Sequence, residues 1–429
     1  MVIIMYMLDV VNKNRYKKDR VILHSDCNSF YASVECLLNP QIRNKPVAVG
    51  GDIEKRHGII LTKNELAKKY NIKTGEAIWQ AKQKCPDLVV VPPRFDIYKK
   101  FSKAAREIYY DYTDRIEPFG LDEAWLDLTG NIENFDGYET AKIISSRIKN
   151  ELGITVSIGV SFNKIFAKFG SDYKKPDAIT CITRENFKTI VWNAPAKDLL
   201  YVGKATNEKL KRIGIYTIGD IARTPLEILK NQLGKHGEML YGFANGYDAS
   251  PVTRFDEQSE VKSIGNSTTT PKDIKSYEDA KIVLYVLCDS VCRRLRQQGF
   301  LAKTVCIYIR DCKLKTVNRQ HTLQEYTNLT DTITATAYEL FRANCNMKIP
   351  LRSLGVALTD FSHDNIPRQM SIFADETKLL KSEALDQTLD TLKQRFGNYA
   401  VRPAVLLCDT VLSGFNPKDD HTVHPVSFL

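Results

Sequence analysis

The stretch Phe119–Gly130, FGLDEAWLDLTG, sets two acids, Asp122 and Glu123, side by side inside an apolar run of strand length. A buried carboxylate is costly unless a cation or hydrogen bonds compensate it. On a regular strand, neighbours point to opposite faces, so these two could not share one site. The EPFG just upstream, with Pro118 and Gly120, reads as a turn. A hairpin tip breaks the alternation and lets both acids converge. A second apolar run, RVILHSD, ends on Ser25 and Asp26. Three carboxylates at adjacent strand ends repel one another unless a cation sits between them. Hard oxygen donors of this kind select Mg²⁺ or Mn²⁺. Carboxylate-held metal pairs are the usual apparatus of phosphoryl and nucleotidyl transfer. Spacing alone leaves another reading open: two surface acids at a turn and an unrelated Asp26 capping a helix.

The flanking pattern places these acids in a layer where helices and strands alternate. CNSFYASVECLL has mixed helical spacing, and KPVAVGGD reads as a strand closed by Gly50 and Gly51. GIILTKNELAKKYNIKTG starts as a strand and turns helical, with a stop near Gly75. FDIYKKFSKAAREIYYDYTDRI is a strong amphipathic helix, and ITVSIGVS is a strand. Asn186 to about Asn245 is helical and glycine-rich. SVCRRLRQQG ends a helix, TVCIYIRD and LRSLGVALTDF are strands, and SEALDQTLDTLKQRFG is a helix in a polar tail. A chain of 429 residues can hold roughly two to four domains. Its net charge of +10 suits a polyanionic partner, though a merely soluble surface reads the same way. Ten cysteines without C-x-x-C pairs read as reduced core thiols of a cytosolic protein. MVIIMYML is too short to span a membrane and precedes an acid rather than a cleavage site, so no membrane partner is expected.

HSDCNSFYASVE, GLDEAWLDLTG and VSIGVSFNKIFAKFGSDYKKPD, in that order, resemble the palm of Y-family translesion DNA polymerases. KSIGNSTTT, LRQQGFLAKTVCIYIR and LRSLGVALTDF resemble the family's little finger, so the resemblance runs from Val21 to Phe373. It implies an α/β (α+β) multidomain right-hand polymerase. Residues 1–20 would be an N-terminal extension, 21–35 and 92–185 the palm, and 36–91 the fingers. A helix-hairpin-helix-like thumb would take 186–250, an α/β little finger 251–365, and a tail 366–429. The implied activity is low-fidelity, template-directed extension of a primer from dNTPs, in a bacterial, cytoplasmic, nucleoid-associated monomer. Two other readings share the acids. A palm-fold nucleotide cyclase would need no little finger, and a non-catalytic DNA-binding paralogue would not need all three carboxylates.

The resemblance also assigns roles. Asp26 and Asp122 would bridge two Mg²⁺ ions, with Mn²⁺ as a substitute, and Glu123 would hold the primer-side ion. The main-chain carbonyl of Cys27 would be a further ligand. Tyr31 stands at the steric gate that excludes a ribose 2′-OH, and Lys175 matches the lysine that reaches the triphosphate. Three positions depart from the family pattern. Asn28 replaces a second acid in the first motif. Glu65 and Lys68 stand where Tyr and Arg often grip the phosphates; Glu65 cannot do so, while Lys68 can, as a point charge without the guanidinium fork. The thumb hairpin has Gly203 but Ala205 where the family reads Gly-x-Gly. In the tail, QMSIF resembles a sliding-clamp peptide, with Gln369, Ile372 and Phe373 as its contacts; a tail packed back on the protein is the alternative. His421 and His424 read as incidental.

Overall fold

The computed structural model describes residues 19–51, 58–130, 136–257, 260–363 and 376–417. They divide into two compact units, with the break after Glu257.

In the first unit, β1 (Ile22–Cys27) leads into the helix Phe30–Leu38. The small sheet that follows is built from β2 (Val47–Gly50), β3 (Ile60–Lys63) and β4 (Val89–Val91) in the order β3-β2-β4. The helix after β3 is shorter than the sequence suggests. It spans only Glu65–Lys68, because Asn71 adopts a left-handed backbone (φ 55°) and tucks Ile72 into the core. A separate helix, Ile78–Lys84, resumes beyond Gly75.

The amphipathic segment forms the helix Phe95–Tyr110, which buries Tyr98, Ala105, Ile108 and Tyr109. After it come β5 (Ile116–Pro118), β6 (Glu123–Asp127), β7 (Val156–Ser161) and β8 (Ile179–Ile182). With β1 they form a five-stranded sheet, order β5-β6-β1-β7-β8. β1 lies between two antiparallel neighbours and all six of its residues are buried. That explains its near-continuous apolar reading. The helix Lys164–Tyr173 crosses β7 closely enough that a Cβ on Gly159 would fall 1.9 Å from the carbonyl oxygen of Ala167. Gly159→Ala should therefore destabilise the protein by about 3 kcal/mol, the upper end of overpacking costs, read as a lower urea midpoint at unchanged slope. An unchanged midpoint would show that the helix can lift off the sheet without cost.

Short helices occupy the glycine-rich stretch, among them Lys204–Arg212, Ile218–Arg223, Leu226–Leu233 and Lys235–Ala244. The chain leaving them runs back along the five-stranded sheet. Val252 is buried with Ile22, Trp125 and Ala167, and Thr253 N–H donates to Glu117 at 3.1 Å.

The second unit is a four-stranded antiparallel sheet of β9 (Ser263–Ile274), β10 (Phe300–Asp311), β11 (Thr316–Thr327) and β12 (Leu351–His363), order β11-β10-β12-β9. The helix Tyr277–Gln297 begins with a capping box, Ser276 with Asp279, and packs Val283, Leu287 and Val291 over Val305, Leu354 and Val356. The helix Glu376–Phe396 docks through charge. Arg296 donates to Asp390 at 2.7 and 3.0 Å and to Asp386 at 3.1 Å, and Lys393 donates to Asp289 at 2.5 Å. Beyond that helix, Leu406, Leu412 and Phe415 join the unit's hydrophobic core. Among the described residues no helix is long and apolar enough to cross a membrane. All ten cysteines are free thiols.

Candidate active site

The acids meet at one end of the five-stranded sheet. Asp26 is the last residue but one of β1 and pairs across the strands with Glu123, the first residue of β6. Asp122 stands just before β6, in the turn between β5 and β6, and its carbonyl accepts the Cys27 N–H at 2.8 Å. This is the hairpin tip at which strand alternation is suspended. Gly120 faces both side chains. A Cβ there would lie 3.2 Å from Asp122 Oδ1 and 3.6 Å from Glu123 Oε1, so a side chain at this position would crowd the Asp122 carboxyl. The tip is held from behind by buried Arg106, which donates to the Gly120 carbonyl at 3.0 Å.

Two lysines answer the acids. Lys168 Nζ lies 2.5 Å from Glu123 Oε2, 3.1 Å from Asp26 Oδ2 and 3.2 Å from Asp172. Lys175 Nζ lies 2.7 Å from Asp26 Oδ2 and 2.8 Å from Asp172. Burial and then Asp26 push Asp122 up to about 6. Burial also raises Glu123 above the ordinary range, against the pull of Lys168 and with Asp26 and Asp122 adding to the rise. Burial opposes the Lys168 charge, yet Asp26, Glu123 and Asp172 outweigh it and lift that ammonium above the usual lysine value. The site thus concentrates more negative charge than its surroundings relieve. His24 lies beneath, with Nδ1 2.8 Å from Ser171 Oγ and Nε2 3.5 Å from Glu123. Burial, then Lys168 and Lys175, hold it well below the usual histidine value, so it is neutral.

An aromatic wall borders the acids. Tyr31 stacks on Tyr98 at 4.4 Å and 13°, and meets Phe95 edge-on at 5.7 Å. Tyr98 is fully buried and donates to Glu35 at 2.6 Å, and Glu35 is paired with Arg94. Burial and the nearby Asp122 raise the Tyr31 phenol to about 12, so it stays neutral. Asn28 is occupied elsewhere: it donates to Thr155 at 3.1 Å and accepts from Ser157 at 2.8 Å.

Asp26, Cys27, Asp122, Glu123, Tyr31 and Lys175 therefore gather at one place. Lys68 stands apart on the helix after β3, paired with Glu65 at 2.5 Å. Gln369, Ile372, Phe373, His421 and His424 lie outside the described residues. Sequence reasoning missed Lys168. Its signal is the Lys168-x-x-x-Asp172-x-x-Lys175 spacing, which sets one acid between two lysines at the end of a helix. Among the described residues no three His, Cys, Asp or Glu side chains close into a ready metal cage. The donor set nonetheless fits a hard divalent ion, being all oxygen and carrying charge that burial penalises.

Known proteins match along most of the chain. The model of the impB/mucB/samB family matches residues 25–172 and that of its C-terminal domain 261–372. The thumb domain of DNA polymerase iota matches 197–248. DNA polymerase IV of Acetivibrio thermocellus is 52% identical over 395 residues, 92% of this chain and 99% of that protein. DNA polymerase IV 1 of Bacillus subtilis is 38% identical over 391 residues, 91% and 94% of the two chains. A solved Y-family DNA polymerase chimera superposes with a TM-score of 0.70 at 25% identity, covering 79% of this chain and 98% of its own. The fold is that of a right-hand polymerase, and the chain is a DNA-directed DNA polymerase. It belongs to the Y family of translesion polymerases, within the impB/mucB/samB group.

Proposed function

We propose that this polymerase carries out low-fidelity, template-directed translesion synthesis from dNTPs by two-metal-ion nucleotidyl transfer, in DNA damage tolerance. The observation that supports it most is the cross-strand pair Asp26 and Glu123, both held by lysine ammonium groups, with the buried Asp122 beside them. Asp26 and Asp122 would bridge two Mg²⁺ ions, or Mn²⁺, with Glu123 and the Cys27 carbonyl completing the set. Such ions, when bound, acidify a primer 3′-OH and steady the leaving pyrophosphate. Lys175, held on Asp26, is placed to turn its charge to a triphosphate. Lys168 keeps the carboxylates apart and oriented, and neutral His24 supports Glu123 without adding charge. Tyr31 forms the floor beneath the sugar.

The subdomains would be palm 21–35 and 92–185, fingers 36–91, thumb 186–250 and little finger 251–365, with an N-terminal extension 1–20 and a C-terminal tail 366–429 that carries the clamp peptide. Primer–template DNA binds through spread basic residues, so its affinity should fall with salt. The protein acts as a monomer in the bacterial cytoplasm. The direct test is primer extension on undamaged and lesion-bearing templates. Extension past the lesion is expected, and no extension on either template would overturn the reading.

The peptide Gln369–Phe373 would dock on a sliding clamp, with Ile372 and Phe373 as anchors. Replacing both with Ala should cost about 2–4 kcal/mol of clamp affinity. Synthesis without clamp should not change, and stimulation by a loaded clamp should vanish. Equal stimulation of parent and double variant would make the peptide a coincidence.

A further inference from the structure

An acid beside a triphosphate site is at first sight self-defeating, because Glu65 would repel the substrate that Lys68 is meant to hold. The structure gives Glu65 two partners. Lys68 Nζ donates to Glu65 Oε1 at 2.5 Å, and Ser29 Oγ donates to the same oxygen at 3.0 Å. Ser29 comes from the turn after β1, three residues beyond Asp26. It occupies the N-cap of the helix Phe30–Leu38, where a serine normally accepts a helix N–H, yet its side chain makes no capping bond. Its φ of 49° lies in the left-handed region that residues other than glycine rarely adopt. The hydroxyl is thus turned away from its own helix and toward the fingers. Lys63, which donates to Thr74 at 3.0 Å, lies close enough to Lys68 that burial and then this second ammonium lower its pKa. The pair is exposed on both sides, and an exposed pair three residues apart on a helix is by itself weak and leaves the lysine free to swing. Here the acid of the pair is fixed at its far side.

We propose that Glu65 is a positioning residue: clipped to the β1 turn by Ser29, it aims the Lys68 ammonium at the incoming triphosphate. This rests on Lys68 meeting the triphosphate, as the fingers motif implies. It explains why an acid and a lysine can replace a tyrosine and an arginine. Lysine lacks the rigid fork of arginine, and the clip supplies the missing order. It also ties fingers to palm through one oxygen atom.

The two roles open to Glu65 have opposite signs. An acid that merely stands nearby repels dNTP, so removing it tightens binding. An acid that positions Lys68 helps dNTP, so removing it weakens binding. The measurement is the dNTP Kd of a ternary complex blocked by a dideoxy-terminated primer, with KM and kcat on an extendable primer and the melting temperature as a folding control. Lys68→Ala should raise Kd about tenfold, the loss of one charge-assisted contact. Glu65→Ala should raise Kd several-fold, by about half that free energy, with kcat changed less than KM. Ser29→Ala, which changes no charge, should move Kd the same way. In the Lys68→Ala background neither should raise it further. If Lys68→Ala raises Kd but Glu65→Ala lowers it or leaves it unchanged, the positioning role is wrong and Lys68 still meets the substrate. If Lys68→Ala leaves Kd unchanged, the reading of Lys68 fails, and the positioning role with it.

Discussion

Asp122→Asn is expected to abolish primer extension, by about a thousandfold or more, while DNA binding stays nearly intact. The loss is of charge at the site where the acids converge, and the basic surface that meets DNA is untouched. The same variant should gain stability. The Asp122 carboxyl titrates near 6 in the folded protein against an ordinary 3.8, because burial and Asp26 disfavour its charge. Between those values the folded protein keeps a proton that the unfolded chain has lost, so stability falls as pH rises through the window. Above pH 6 the whole penalty stands. With about 1.4 kcal/mol per unit, it comes to about 2–3 kcal/mol. In EDTA at pH 8 the Asn variant should therefore be the more stable protein by about that amount, and the advantage should shrink toward pH 4. His24 has the opposite slope, since it stays neutral while the unfolded chain takes up a proton below its ordinary value of 6.5. Comparing variant with parent cancels that contribution. Urea midpoints across pH 4–8 and a gel extension assay check both halves. Retained extension would remove Asp122 from the site, and a flat stability difference would mean its carboxyl is solvated.

Much of this was legible because strand chemistry and function coincide in the same few letters. β1 reads as a strand because it is buried between two neighbours, and its acid falls one residue before the strand's end. The tip holding Asp122 was legible from Pro118 and Gly120, although Pro118 itself is the last paired residue of β5 and the turn begins after it. β11 was not. Thr316–Thr327 lies at the sheet edge and is exposed on both faces, so it carries no apolar alternation to read. The docking of Glu376–Phe396 was equally hidden. Its grip is Arg296 on Asp386 and Asp390, which are ordinary surface letters until the fold brings them together. Lys168 was lost for the same reason, as one more lysine on an amphipathic helix. Only its distance to Asp26 and Glu123 separates it from a solvated neighbour.

Tyr31→Ala should raise the ratio of ribonucleotide to deoxyribonucleotide incorporation on the order of a hundredfold. The force of this expectation comes from what stands behind the ring. A gate that can retreat discriminates weakly, because a hydroxyl can push it aside at little cost. Tyr31 cannot retreat easily: it stacks on Tyr98, which is fully buried and tied through its hydroxyl to Glu35 and so to Arg94. Phe95 closes the edge. In a close-packed wall a clash is relieved only by moving several side chains together. Tyr31→Phe keeps the stacked ring and loses only a neutral hydroxyl, so its ratio should match that of the parent. Tyr98→Ala removes the brace and leaves the gate, and should relax the ratio part-way, by about tenfold. Matched single-nucleotide incorporation of rNTP and dNTP by the four proteins gives the series. If Tyr31→Ala leaves the ratio unchanged, the ring is a packing residue of the aromatic wall. If Tyr98→Ala matches the parent while Tyr31→Ala does not, the gate acts without its brace, through contact with the sugar alone.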